Sequence, residues 1–127
     1  MKKSIILMMV AVVVMAGVLA IWKIQSKPSA PLPVDTFAQC LKDKGATFYG
    51  AYWCPHCQSQ KALFGKSAKL LPYVECSTPD GQSQTQVCID KKITGYPTWE
   101  FADGSREGGE LSFAKLAEKT GCVAPAQ

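Results

Sequence analysis

A chain of 127 residues with 14 Lys or Arg against 10 Asp or Glu has room for one ordinary domain and a short extension. Its net charge of +4 is carried at one end. Lys2, Lys3 and Lys23 lie in the first 24 residues, and the remaining 11 cations face 10 anions, so no basic stripe is left to grip phosphates and nucleic acid is excluded as a partner.

From Ser4 to Trp22 the chain is uncharged and almost wholly apolar. As a helix these residues would rise about 28 Å, close to the thickness of a hydrocarbon core. The stretch exceeds the usual apolar region of a signal peptide, which favours an uncleaved signal anchor and a transmembrane helix over residues 1–24. The competing reading is a cleaved signal peptide cut after Ala20. Lys2 and Lys3 on one side nearly balance Lys23 and Lys27 on the other, so charge does not orient the helix. Residues 25–33 carry three prolines and read as a semi-extended tether. Residues 34–127 then form the folded domain.

Val34 to Lys44 is expected to be helical, with Phe37, Cys40 and Leu41 on one face and Gly45 ending it. Ala46 to Tyr52 reads as a buried strand. Pro55 suits the first turn of a helix, where a missing N–H costs nothing. That helix is expected to reach Leu70 with Ala62, Leu63 and Leu70 facing inward. Tyr73 to Cys76 is a second strand, Ser77 to Ser83 a loop and Gln84 to Lys92 a short helix. Thr98 to Ala102 and Arg106 to Gly108 make a hairpin across Asp103-Gly104. Ser112 caps a last helix that runs through Lys119 and is ended by Gly121. After the first helix the order is β-α-β-α-β-β-α, an α/β arrangement that resembles the thioredoxin fold.

Cys54-Pro55-His56-Cys57 places two thiols where a strand gives way to a helix. Exchange between thiols and disulfides needs a thiolate, and a cysteine at a helix N-terminus faces unpaired N–H groups and the positive end of the dipole. Cys54 is therefore the expected exposed sulfur that joins substrate, and Cys57, one turn deeper and shielded, the resolving one. His56 can add a positive or hydrogen-bonding influence. Pro97, after an aromatic residue, can adopt a cis peptide and present backbone groups beside Cys54 to a substrate strand. The same spacing also serves zinc sites, with Cys76 and Cys88 as possible further ligands. Trp53, Tyr96 and Trp99 read as core or rim aromatics.

Six cysteines in so short a chain point to an oxidising compartment and a domain facing outward. If Cys76 and Cys88 are bonded, they close a polar loop worth roughly 3 kcal/mol, as a staple or as a second redox pair. A bond between Cys40 and Cys122 would tie the first helix of the domain to the last, worth roughly 4.5 kcal/mol.

Between Phe37 and Gly121 the chain resembles the thioredoxin-like domain fused to, or partnered with, bacterial and plant homologues of vitamin K epoxide reductase. The likeness rests on Gly45-Ala46, the run Phe48 to Cys57, Gln60-Lys61, Leu63-Phe64-Gly65, Pro72 to Cys76, Cys88 and Gly95 to Trp99. It implies that Cys54 and Cys57 exchange with exported protein thiols and are reoxidised by a quinone-linked membrane enzyme. It also implies a second disulfide at Cys76 and Cys88. Cys40 and Cys122 are extra to the pattern. Ordinary thioredoxins carry a buried acid six residues before the first active cysteine, and here that position is Phe48. The Pro-His dipeptide resembles periplasmic thiol oxidases. The expectation is thus an outward-facing, membrane-tethered thiol–disulfide oxidoreductase that needs no cofactor or metal. A reductase or isomerase, or a non-catalytic binding module, are the alternatives.

Overall fold

A computed structural model describes residues 2–24 and 33–126. The chain divides into two compact units, residues 1–30 and 31–127. The first is a single helix, α1 (Lys2–Ile24). Its side chains are described over residues 3–15 and at Gly17, and those from Ile5 to Met15 are exposed. Residues 3–15 rise about 20 Å, against about 30 Å of hydrocarbon. Among the described residues no helix is long and apolar enough to cross a membrane, so the transmembrane helix expected over 1–24 is not shown. The tether expected over 25–33 lies outside the described residues except for Pro33, which already begins a helix.

The second unit opens with α2 (Pro33–Asp43), followed by β1 (Thr47–Gly50) and α3 (Pro55–Phe64). A 3₁₀ segment, Gly65–Leu70, leads to β2 (Tyr73–Glu75) and α4 (Gln86–Asp90). The hairpin β3 (Thr98–Glu100) and β4 (Arg106–Gly108) precedes α5 (Phe113–Thr120). The strands form one sheet in the order β2-β1-β3-β4, parallel between β1 and β2 and antiparallel elsewhere.

Strand alternation separates two cores. Phe48 pairs in register with Tyr73 on one side and Trp99 on the other. The three rings share a face, with Phe48 stacked on Trp99 at 4.8 Å between centroids. Against that face pack Phe37 and Leu41 of α2, Phe64 of α3, and Phe113 and Leu116 of α5. Tyr49 points the opposite way, into a smaller cluster with Cys76, Cys88 and Ile93. Ser112 caps α5 by accepting the Lys115 N–H, and Gly121 closes it at φ +73°.

β1, α4 and β3 are each shorter than expected, and α3 departs most. α3 stops at Phe64, where Gly65 takes φ +52°, and the chain tightens into the 3₁₀ segment. Ala62 and Leu63 are exposed and Leu70 half-buried; the inward face is Cys57, Gln60 and Phe64. The helix phase is set at its start. Cys54 is the N-cap, Pro55 the first helical residue and Cys57 the first inward one, so the buried positions recur from there every three or four residues.

Candidate active site

Two disulfides are formed, Cys40–Cys122 and Cys76–Cys88, leaving Cys54 and Cys57 as the free cysteines. Cys76 and Cys88 are fully buried and joined to each other. They cannot complete a zinc site with Cys54 and Cys57. Among the described residues no group of three or more His, Cys, Asp or Glu is placed to hold a metal.

The dithiol sits where β1 turns into α3, and Cys54, expected to be exposed, is buried like Cys57, because the cap position draws its sulfur in toward the Cys57 N–H. Cys54 takes an extended backbone as the N-cap, and its sulfur accepts the N–H of Cys57 at 3.3 Å. The Cys54 N–H is itself satisfied by the Ala51 carbonyl at 3.0 Å. Tyr96 and Pro97 are joined by a cis peptide, and the Tyr96 carbonyl lies 3.8 Å from Cys54 Sγ. The structure therefore brings Cys54, Cys57 and Pro97 to one place. Trp53 and Tyr52, each about half exposed, flank the dithiol. Trp53 donates to Ser77 Oγ at 2.9 Å and meets the Tyr96 ring edge-on at 6.0 Å. Trp99, by contrast, is fully buried core.

His56, expected to influence Cys54 by charge or hydrogen bonding, meets a carboxylate at the surface. Its ring is 73% exposed, and Nδ1 lies 2.7 Å from Glu110 Oε1. As the second helical residue it projects outward, and the carboxylate from the loop before α5 takes the ring.

Behind the dithiol the packing is tight. A Cβ at Gly50 would fall 3.0 Å from Cys57 Sγ and 2.9 Å from Tyr73 Cε2, so only glycine leaves room here for both this sulfur and this ring. Burial, and then the hydrogen bond to Cys54, push the Cys57 thiol up to about 12, opposed by a backbone hydrogen bond from Ala51 and the charge of Lys61. Lys61 Nζ sits 3.3 Å over the Tyr73 ring. Burial lowers its ammonium from the usual range, while Glu75 and Cys57 hold it up. The Tyr73 hydroxyl donates to Glu75 Oε2 at 2.7 Å; burial first, and this bond second, raise the phenol. Glu75 Oε1 accepts the N–H groups of Ser77 and Tyr52 at 2.9 and 3.2 Å.

Gln60 clamps the site from below. Fully buried, it accepts the Leu111 N–H at 2.6 Å and donates to the Leu111 carbonyl at 3.0 Å, and Trp99 Nε1 donates to it at 3.3 Å. Sequence reasoning gave no role to Gln60, Lys61, Tyr73 or Glu75. Two signals were present. Lys61 is four residues beyond Cys57 on one helix, and Tyr73 and Glu75 are two apart on one strand, so each pair shares a face.

The fold and the dithiol at the start of α3 define a thioredoxin-type domain. The thioredoxin family profile matches residues 31–120, and the chain belongs to that family. It is 44% identical over 101 residues to the thiol-disulfide oxidoreductase LTO1 of Arabidopsis thaliana, covering 76% of this chain and 26% of that protein. It is 31% identical over 85 residues to the thioredoxin domain-containing protein 5 homolog of Drosophila melanogaster, covering 58% of this chain and 20% of that one. The chain thus spans about a quarter and a fifth of the length of these two curated relatives.

Proposed function

We propose that this protein oxidises paired thiols in exported proteins through a Cys54–Cys57 disulfide. The observation that carries the reading is Cys54 at the helix N-cap, its sulfur facing the Cys57 N–H on one side and the Tyr96 carbonyl on the other. A substrate thiolate attacks Cys54 Sγ, a mixed disulfide forms, and the electron pair of the broken bond leaves on Cys57. A second substrate thiolate then attacks the substrate sulfur and releases Cys54. The substrate pair is oxidised and the protein's pair reduced. The Cys57 N–H bond strengthens whenever Cys54 is charged, and a stabilised reduced form makes the disulfide a stronger oxidant. Phe48 in place of an acid beneath the pair also weighs against a reductase.

The setting of this chemistry belongs to the same proposal. The exposed apolar side chains from Ile5 to Met15 on α1 suit a membrane surroundings, and four further cysteines in disulfides suit an oxidising compartment outside the cytoplasm. A quinone-linked membrane enzyme of the vitamin K epoxide reductase type would reoxidise the pair. We assign Cys76–Cys88 a structural role, because both residues are sealed from a partner sulfur.

Trapping tests the reading. A Cys57→Ala variant should accumulate mixed disulfides on Cys54 in cells, and mass spectrometry should identify exported proteins and a membrane oxidase among them. A variant that captures nothing on Cys54 contradicts the proposal.

A further inference from the structure

We propose that Lys61, seated on the Tyr73 ring, is the electrostatic partner of the departing Cys57 sulfur, and that Glu75 is the positioning residue that moderates its charge. The inference rests on the exchange reading above and assigns the groups that handle its leaving sulfur.

Three observations converge. Lys61 is one helical turn beyond Cys57, on the same side of α3. Its ammonium is fixed by contact with the Tyr73 ring, 3.3 Å from the centroid, a geometry that favours a cation. That ring reaches the Cys57 sulfur across Gly50, where a single added carbon would touch both. The ring is anchored at its far end by Glu75, whose other oxygen is tied to the backbone of Ser77 and Tyr52. Cys57, Tyr73, Lys61 and Glu75 therefore form one continuous layer between α3 and β2.

The titratable groups that act on Cys57 are Cys54 at the helix start, Lys61 along the helix and Tyr73 from β2, while Glu75 acts on Lys61 and Tyr73. β1 and the residue that follows it offer Phe48, Gly50 and Ala51, none of them ionisable. When a substrate thiolate attacks Cys54 Sγ, the sulfur–sulfur bond breaks and Cys57 receives the electron pair as a thiolate in a buried place. A proton taken up from solvent, to which the attacking thiol had released its own, then converts it to the thiol, the form its surroundings favour. Until the proton arrives, Lys61 supplies the nearby positive charge. Glu75 offsets part of that charge while holding the ring on which the ammonium rests.

The test is the rate at which the oxidised full-length chain is reduced by a simple monothiol, glutathione, followed from pH 6 to 9 by acid quench and mass spectrometry. Lys61→Met should slow reduction by about fivefold, the order a single partly screened charge exerts at short range. Lys61→Arg, which keeps the cation, should restore most of the rate. Glu75→Gln, which keeps an acceptor oxygen and removes the negative charge, should speed reduction. Opposite signs for the Met and Gln variants are the signature, since damage to packing around the buried pair moves both rates the same way. Changes of the same sign, unchanged rates, or a Lys61→Arg variant as slow as Lys61→Met overturn the inference. A wild-type chain that forms no reducible Cys54–Cys57 bond overturns the exchange reading instead.

Discussion

Gln60 shows how far the dithiol depends on an uncharged side chain outside it. It holds α3 to the strand-to-helix connection around Leu111, three residues after Gly108 ends the sheet. A Gln60→Leu variant leaves the Leu111 N–H buried without its partner. That change should cost about 2 kcal/mol, measured as a lowered urea midpoint with the slope unchanged. Cys54 and Cys57 were legible in the sequence because their chemistry lies in a spacing of three along one helix. Gln60 was not, because its partner is 51 positions away and only the fold brings them together. His56 was legible as a residue near the dithiol but not in its orientation, since Glu110 arrives from 54 positions later.

The helices and strands were legible wherever a local signal fixed them. Pro55 started α3, Gly121 ended α5, and Asp103-Gly104 turned the hairpin, with Gly104 at φ +79°. The end of α3 was missed because the apolar residues Ala62, Leu63 and Leu70 suggested a longer inward face than Gly65 allows. The two disulfides act at this level too. Cys40–Cys122 joins α2 to the segment after α5 across a separation of 82, and closing so long a loop is worth about 4.5 kcal/mol. Replacing both cysteines by alanine should lower stability by roughly that amount while leaving the Cys54–Cys57 bond able to form. Denaturant unfolding gives the first quantity and thiol counting the second. A loss under about 1 kcal/mol would show that the unfolded chain is already held compact without the bond.

The thioredoxin fold followed from element order, and the sheet order β2-β1-β3-β4 places the dithiol at the end of β1, a central strand, and the start of α3. The direction of electron flow is a property of the assembled site and was not written in any one motif. It depends on how the Cys57 N–H, the Tyr96 carbonyl and the layer of Tyr73, Lys61 and Glu75 treat the two sulfurs in the oxidised and reduced forms. The most direct measurement is the equilibrium of the full-length protein with a glutathione redox series, read by mass spectrometry at each cysteine. Reversible bonding between Cys54 and Cys57, with a midpoint well above thioredoxin's value of about −270 mV, is the predicted result. A midpoint at or below about −270 mV, or no reversible bond between these two residues, would contradict it.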